Sequence, residues 1–500
     1  MKRNMVIQTE HLIPSSERAG HGHNHARNRF AVIPTPVRLD ALKHYRGHNV
    51  TIAFLDSGFY PHPDLVTPQN RIIAYHDVTG EESTLDSARP AEGWHWHGTQ
   101  TAVTAAGNGY LSDGVYRGLS SEAKVVLVKV GSHGRITEEN IERGLRWIIE
   151  NQERLRIRVV NISLGGDEDI PCTKSIIDLA AEEAVRRGIV VVTAAGNNGC
   201  FEKHTSVPPA NSPSVITVGG YNDNNRLERG ALDLYCSNYG ETADGLTKPE
   251  IIAPAMWVAA PILPNSPLYA VAQHLSEMAS APDYELPKLV QLLWKDAELP
   301  ESLQHEPPEK IRSIVEAHLM RNKIISAHYQ HVDGTSFAAP IVSSVVAQML
   351  QAKPTLSPEA VRHILVSTAD RISHAPAVRQ GYGALNARRA VELAGVETHS
   401  LTAARGAGAP RIEAGKLVFF YHNDDAQKVS VAGDFNGWDM RLTPFTREAD
   451  GIWCAQVDAP PAGRYRYKLV VDGAHWLEDP HNGFKESDGF GGFNSILNIA

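Results

Sequence analysis

The sequence has few cysteines, no long apolar run and no apolar leader, and each lack excludes a class of protein. Four cysteines in 500 residues are too few for a disulfide-rich scaffold, so reduced thiols are expected. No apolar run approaches the roughly 18 residues that a membrane-spanning helix needs, so no membrane partner is expected. The segment Met1–Arg29 lacks the apolar core of a secretory signal. This favours a cytoplasmic location, with secretion by another route left open.

The composition gives no reason to expect a nucleic acid as partner, because the formal net charge is −9. An apolar content of 42% and a charged content of 21% are typical of a globular protein. The length predicts two to four domains. The run His21–His25 can bind a metal ion, but a disordered His-rich arm is the favoured interpretation, and the metal content stays unknown.

Ser336 lies in the stretch Asp333–Pro340, directly before an apolar run, Phe337–Ala352, that predicts a buried helix. Its hydroxyl is therefore expected at a helix N-terminus, where free N–H groups and the helix dipole favour negative charge. A nucleophilic alkoxide and a tetrahedral oxyanion both need such an environment. A serine is also a common helix cap. The chemical interpretation therefore requires a base, an orienting carboxylate and an oxyanion donor from other segments.

Three polar residues can supply these groups. Asp56 ends the apolar strand Val50–Leu55, and Asn197 follows the strand Ile189–Thr193. His97 directly precedes a small-residue run that predicts a buried helix. Strand ends are where α/β folds place functional groups, so these residues are expected to converge.

In the order Asp, His, Asn, Ser, the four motifs resemble those of the subtilisin-like serine peptidases, of the intracellular type, over about residues 45–395. The resemblance implies that Asp56 orients His97, which takes the Ser336 proton and returns it to the leaving amine. It also implies that Asn197 and the Ser336 N–H hold the oxyanion. Four short motifs in the right order are more specific than any one of them.

The resemblance also predicts the substrate groove, which is lined by Ser163, Leu164, Gly165 and Gly166. An extended peptide is expected to pair with the backbone of this segment. The family often binds calcium at surface loops, so structural calcium is allowed. The implied chemistry itself requires no cofactor.

Two further expectations rest on the same resemblance. It places Cys172 and Cys200 in loops near the cleft, and whether they pair is left open. Only 55 residues precede Asp56, which is too short for the folded prodomain of secreted members. An intracellular-type enzyme without such a prodomain is therefore expected.

The pattern of apolar strands and intervening helices predicts an α/β fold, with a parallel sheet and helices on both faces. The predicted organisation is an N-terminal arm at 1–45 and a protease-like domain at 46–395. A helix is predicted at Asp40–Tyr45 in the arm. The segment 261–330 is predicted to be a helical insertion, because the 139 residues between Asn197 and Ser336 exceed the spacing that the resemblance implies. Its three predicted helices are Leu268–Ala279, Leu286–Lys295 and Pro308–Asn322.

Residues 396–412 read as a small-residue linker, and 413–500 predict an immunoglobulin-like β-sandwich of short alternating strands. The motif Val431–Trp438 and the strand Tyr465–Gly473 resemble the glycogen-binding module of isoamylase-type enzymes. The resemblance implies that two tryptophans stack on glucose rings while a lysine and an asparagine bond the hydroxyls. The matching positions are Trp438, Trp476, Lys468 and Asn494.

The sequence thus predicts a serine endopeptidase acting on proteins or peptides, with a C-terminal module that binds a glycogen-like α-glucan or a partner protein. One alternative is an inactive protease-fold scaffold that binds glucan or protein. A second alternative is a hydrolase of another ester or amide bond that uses the same residues. Intact motifs around all four candidate residues oppose the first alternative, and Ser163–Gly166 opposes the second.

Overall fold

The computed structural model describes residues 32–396, apart from 83, 134, 167, 201–204 and 228–231, and residues 410–499, apart from 414, 424, 449–451, 483 and 491. The His-rich run 21–25 and most of the predicted linker lie outside the described residues. Within the described ranges, no helix is long and apolar enough to cross a membrane.

A sheet of seven parallel strands forms the centre of the larger domain. The strands are β1 (Thr51–Asp56), β2 (Ile72–Asp77), β3 (Lys124–Lys129), β4 (Ile157–Ile162), β5 (Val190–Ala194), β6 (Ile216–Asn222) and β8 (Ile251–Pro254), with the short antiparallel β7 (Asp233–Leu234) paired to β6. Their spatial order is β8-β6-β5-β4-β1-β3-β2. The predicted α/β fold is confirmed.

Helices cover both faces of this sheet, because alternate residues of its strands point in opposite directions. In β1, Ile52 and Phe54 join one core, whereas Ala53 and Leu55 join the other. The first core is closed by four helices, α1 (Trp96–Ala106), α7 (Thr335–Ala352), α8 (Pro358–Thr368) and α9 (Ala387–Val396). The second is closed by α2 (Glu138–Leu155) and α3 (Ile176–Arg186). One-turn helices lie at Thr35–Arg38, Pro63–Val66 and Ala377–Gln380.

Three adjacent strands bring charged residues to the carboxyl edge of the sheet. In the β1–β3 register Asp56 lies opposite Lys129, and in the β2–β3 register Asp77 lies opposite the same lysine. The side chains of all three residues are at most 1% exposed. A candidate catalytic carboxylate therefore ends its strand beside a buried, charged neighbourhood.

The N-terminal arm is part of the domain from residue 32 onward. Val32 and Ile33 are buried, and the Arg38 guanidinium forms a buried ion pair with Asp223. The helix predicted at Asp40–Tyr45 is wrong, because the helix lies at Thr35–Arg38. Asp40 then adopts a positive φ of 47°, which is incompatible with continuing a right-handed helix.

The predicted helical insertion contains α4 (Pro267–Ser280), α5 (Leu286–Leu293) and α6 (Pro308–Arg321). A proline in the first turn of each helix marks its start, where the missing N–H has no cost. The helices have an apolar core of their own, separate from the two sheet cores. The chain enters through the strand Val258–Pro261 and returns through Tyr329–Val332, which pairs with it and leads into α7.

The C-terminal domain is a sandwich of two antiparallel sheets. One sheet has the order β9-β10-β13-β12, and the other has the order β11-β14-β17-β16 with β15 added on β14. The strands are β9 (Arg411–Glu413), β10 (Lys416–His422), β11 (Val429–Gly433), β12 (Thr446–Arg447), β13 (Ile452–Asp458), β14 (Gly463–Val471), β15 (His475–Leu477), β16 (Lys485–Ser487) and β17 (Phe493–Ile499). Strand β9 begins inside the segment predicted as linker.

The sandwich packs directly on the larger domain through polar and aromatic contacts. The Thr247 hydroxyl donates to the Lys485 carbonyl at 2.7 Å, and Arg371 pairs with Glu478. The Lys485 ammonium lies 3.6 Å from the centre of the Tyr382 ring, buried and without a hydrogen-bond acceptor. This burial lowers the pKa of Lys485 to about 7.

Substitution Lys485→Met is expected to stabilise the protein at pH 7 by about 1–3 kcal/mol. The unfolded chain keeps the lysine protonated to about pH 10, whereas the folded pKa is about 7, so wild-type stability rises with pH across this window. The gain from methionine is therefore largest at or below pH 7 and shrinks toward pH 10. Chemical denaturation at several pH values measures this, with the exposed Lys416→Met as control.

Candidate active site

Asp56 and His97 form the central contact of the candidate site. The Asp56 carboxylate ends β1, is 1% exposed, and accepts a 2.8 Å hydrogen bond from Nδ1 of His97. The same oxygen accepts the Ser57 N–H at 2.7 Å. Gly98 permits this approach, since a Cβ there would lie 2.4 Å from the Gly58 carbonyl oxygen. The contact fixes Nδ1 as the donor and leaves Nε2 as the basic nitrogen.

The pKa of His97 is raised above its ordinary value. Burial acts against the protonated imidazole, but the charge of Asp56 and its hydrogen bond outweigh burial. Asp56 thus makes His97 a better proton acceptor and stabilises the imidazolium once it forms.

Ser336 is the second residue of α7, so its N–H lies in the first helical turn, where no intrahelical acceptor exists. Gly334 begins the helix with φ at 142°, in a region that only glycine adopts readily. The Ser336 hydroxyl donates to the Ser163 carbonyl at 3.3 Å, and the Ser163 hydroxyl donates to the Ser336 carbonyl at 2.9 Å. The next residue of the helix, Phe337, places its ring 6.0 Å from the His97 ring, so the start of α7 lies beside His97.

Asn197 is held in one orientation by the residue before the candidate nucleophile. Its Oδ1 accepts the Thr335 N–H at 2.9 Å and the Thr335 hydroxyl at 3.0 Å. The amide oxygen is therefore occupied, and Nδ2 is left as the donor for another ligand. Asn197 and the first turn of α7 together present two N–H donors, as an oxyanion requires.

A disulfide fixes the loop that carries Asn197. Cys200 is bonded to Cys236, and the Gly199 N–H donates to the Cys236 carbonyl at 2.9 Å. The prediction of reduced thiols is wrong for these two cysteines, and so is the alternative that Cys200 pairs with Cys172. Cys172 is buried elsewhere, with its N–H donated to Asp244. The pairing follows from two loops running side by side, which is not visible in sequence spacing.

The predicted groove segment follows β4 and reaches the nucleophile through Ser163. Leu164 is half-buried, and the Gly166 N–H donates to the Pro208 carbonyl at 2.8 Å. A Cβ at Gly165 would lie 2.8 Å from the same carbonyl oxygen, so this position needs glycine. The segment thus leaves the candidate nucleophile at Ser163 and is held by the backbone of Pro208.

The predicted sugar-binding residues share one face of the C-terminal domain. Lys468 and Val470 lie on the same face of β14, and Trp476 of β15 pairs opposite Val470. The β14–β17 register ends with Tyr467 opposite Ser495, so the next pair of positions along it is Lys468 and Asn494. Trp476 is 41% exposed. Trp438 joins this face through Asp434, which accepts its indole N–H and the backbone N–H of Arg466.

Sequence reasoning missed Phe490 on the turn between β16 and β17. It is 96% exposed, the highest value among the exposed large apolar residues that the structure describes. Asp488 accepts the Phe490 N–H at 2.8 Å and pairs with Lys468 at 2.5 Å, so the turn is connected to the predicted sugar-binding residues. The available signal was an aromatic residue within a glycine-rich turn.

No group of three or more His, Cys, Asp or Glu side chains arranged to hold a metal ion occurs among the described residues.

The substitution Asp56→Asn is expected to lower the pKa of His97, because it removes the charge that opposes the effect of burial. In the wild type, the His97 imidazole should titrate above pH 6.5. Nuclear magnetic resonance of labelled histidines measures both values, with His97→Ala for assignment. Asp458→Asn in the other domain should leave the titration unchanged, and an unchanged value in Asp56→Asn would contradict the coupling.

Comparison with known proteins matches both domains. Residues 406–482 match the model of carbohydrate-binding module 48, the isoamylase N-terminal domain. The chain is 30% identical to serine protease AprX of Bacillus subtilis over 69% of its length and 66% of AprX. It is 34% identical to the major intracellular serine protease of the same organism over 35% of its length and 52% of that protein. The chain thus spans less than two thirds of these relatives. Fervidolysin from Fervidobacterium pennivorans, a keratinolytic enzyme related to subtilisin, aligns with a TM-score of 0.49 at 18% identity, covering 85% of this chain and 53% of fervidolysin.

The larger domain gives the clearest match. Residues 47–383 match the model of the subtilase family, which covers more than half of the chain. Asp56, His97, Asn197 and Ser336 all lie within the matched residues. The chain therefore belongs to the subtilase family, with a module of the isoamylase N-terminal type at its C-terminal end.

Proposed function

We propose that this chain is a serine endopeptidase in which Asp56, His97 and Ser336 form the catalytic triad and Asn197 donates to the oxyanion. The observation that carries the proposal is the 2.8 Å bond from His97 to a buried carboxylate. The ring of Phe337, the residue after Ser336, lies 6.0 Å from the His97 ring. Membership of the subtilase family and the similarity to relatives that are named serine proteases support it further.

In the proposed reaction, Ser336 Oγ attacks the peptide carbonyl carbon while His97 Nε2 takes its proton. The oxyanion receives hydrogen bonds from Asn197 Nδ2 and the Ser336 N–H. Collapse of this intermediate breaks the C–N bond, and His97 returns the proton to the leaving amine. Water, deprotonated by the same imidazole, then releases the acyl group. The segment Ser163–Gly166 resembles one that pairs with an extended peptide, which favours a peptide substrate and an endopeptidase activity.

Labelling with a fluorophosphonate probe and hydrolysis of casein are expected for the wild type and should be lost in Ser336→Ala and His97→Ala. Asn197→Ala should lower kcat by about 10²–10³, because it removes one oxyanion donor. Asn322→Ala in the helical insertion serves as control. A folded wild type that neither labels nor cleaves would favour the scaffold alternative, and labelling without peptide cleavage would favour another ester or amide substrate.

We propose further that the C-terminal domain binds a glycogen-like α-glucan on the face that carries Trp438, Trp476, Lys468 and Asn494. Aromatic faces pack against the C–H groups of sugar rings, while their edges stay hydrated. Phe490 adds an exposed ring to those of the exposed Trp476 and the half-buried Trp438. The match to carbohydrate-binding module 48 supports this assignment.

Retention on amylose is expected to fall about tenfold in each of Trp438→Ala, Trp476→Ala and Phe490→Ala, which corresponds to losing roughly 1.4 kcal/mol of ring packing. Affinity electrophoresis in amylose gels measures it. Tyr284→Ala is the matched control, since this ring is 79% exposed but lies in the helical insertion. Equal retention of all variants would show that the module binds something other than glucan.

A further inference from the structure

A buried lysine next to the catalytic carboxylate lies inside a cage of oxygen atoms. The Lys129 side chain is 0% exposed, and its Nζ lies 2.9 Å from carboxylate oxygens of both Asp77 and Glu81. The Thr79 hydroxyl at 3.3 Å and Glu82 at 3.7 Å complete the cage. One ammonium therefore holds three carboxylates that belong to the strand end and loop 77–82.

These carboxylates are ionised because of the lysine and its neighbours. Burial alone would raise the pKa of Glu82, but hydrogen bonds from His95 and Tyr75 and the charge of Lys129 keep it below its ordinary value. Burial likewise opposes the charge of Lys129, but its bonds to Asp77 and Glu81 raise its pKa. The ammonium of Lys129 thus helps to keep all three carboxylates of the cage ionised.

Glu82 connects this cage to the helix that carries His97. Its Oε1 lies 3.0 Å from Nε2 of His95, a fully buried residue. The Nδ1 of His95 accepts the Glu92 N–H at 3.0 Å, so Nε2 carries the proton that is donated to Glu82. The tautomer of His95 is therefore fixed by its two partners.

His95 is the N-cap of α1 and lies two residues before His97. It makes no side-chain cap bond to the helix, because both ring nitrogens point away to Glu82 and Glu92. Its carbonyl accepts bonds from the N–H and the hydroxyl of Thr99, at 3.2 and 2.6 Å. The first turn of α1 is thus anchored through the His95 ring.

We propose that Lys129, Glu82 and His95 are positioning residues for His97: Lys129 holds the loop 77–82, Glu82 holds the His95 ring, and His95 sets the first turn of α1 against Asp56. This inference rests on the proposed peptidase function for its effect on rate. None of the three residues touches the reacting atoms. Small displacements of a general base are costly, since about 1 Å can change a rate about 10²-fold.

Lys129→Met, which keeps the length and loses the charge, is expected to lower kcat about ten- to a hundredfold with KM changed less than about twofold. The groove at Ser163–Gly166 is untouched, so substrate binding is preserved. Rates are normalised to the nucleophile titrated with fluorophosphonate, which removes unfolded molecules from the comparison. Lys248→Met is the matched control, because Lys248 is also a buried lysine and is paired to a carboxylate, that of Glu250. This pair directly precedes β8, the strand at the other edge of the sheet from β3 and β2.

The pair Glu82→Gln and Glu82→Leu separates the hydrogen bond from simple packing. Glutamine keeps an acceptor for His95 and is expected to stay within about threefold of wild-type kcat. Leucine fills the space without an acceptor and should lose about tenfold or more. These variants also test the proposal if Lys129→Met does not fold.

The pKa of His97 gives a readout that does not depend on turnover. Asp56 is the charged group in contact with His97, and the rings of Trp96 and Phe337 flank it. Around Lys129 stand Asp77, Glu81 and Glu82, with His133 beyond Glu81. Removing the ammonium leaves an excess of negative charge, so Lys129→Met should raise the pKa of His97 and move the acidic limb of kcat/KM to higher pH.

Normal kcat and an unmoved His97 titration in Lys129→Met, or equal losses in Lys248→Met, would overturn the positioning role. Equal kcat in Glu82→Gln and Glu82→Leu would overturn the part played by His95. A wild type that cleaves no peptide would contradict the proposed function instead. The titration of His97 in Lys129→Met and Lys248→Met would then decide the positioning alone, with a shift in the first variant only supporting it.

Discussion

The parallel direction of the seven sheet strands is the constraint on which the rest of the site depends. Parallel strands finish at a common edge, and helices that follow them begin near that edge with their positive ends. Asp56 ends one strand, and the candidate groove segment and the loop that carries Asn197 follow two others. α7 then brings Ser336 to the same edge from the end of the helical insertion. Four short motifs that are far apart in sequence therefore meet without long structureless loops.

Residues that belong to an element with its own local sequence pattern could be predicted from the sequence. The apolar strands, the Ala-rich run after Ser336 and the three insertion helices each have a period or composition of their own. The helices found at 267–280, 286–293 and 308–321 differ from the predicted ranges by at most two residues at either end, and the α/β class is confirmed. The candidate catalytic residues were found because each stands beside such an element and because their order resembles a known family.

Residues whose role depends on distant partners could not be predicted. The sequence indicates only that Lys129 is the polar end of an apolar strand. Its contact with the loop 77–82 appears only in the folded structure. The pairing of Cys200 with Cys236 depends on two loops lying side by side. Phe490 lies in a glycine-rich turn of the sequence, and only the fold shows that it is exposed and connected to Lys468 through Asp488. In the N-terminal arm the helix predicted at Asp40–Tyr45 is wrong for a local reason. Asp40 has a left-handed backbone conformation, and the helix lies before it at Thr35–Arg38.

The docking of the sandwich on the catalytic domain has a consequence for how proteins would be selected. The two domains are joined by direct contacts and not only by the chain between them. These contacts are Thr247 with Lys485, Arg371 with Glu478, and Tyr382 with Asp479. Under the proposed function, a polysaccharide held by the module would therefore set the distance between the cleft and the carbohydrate surface. Under that function, cleavage would then be a two-dimensional search, in which proteins coating a glucan particle are reached at a higher local concentration than freely diffusing proteins.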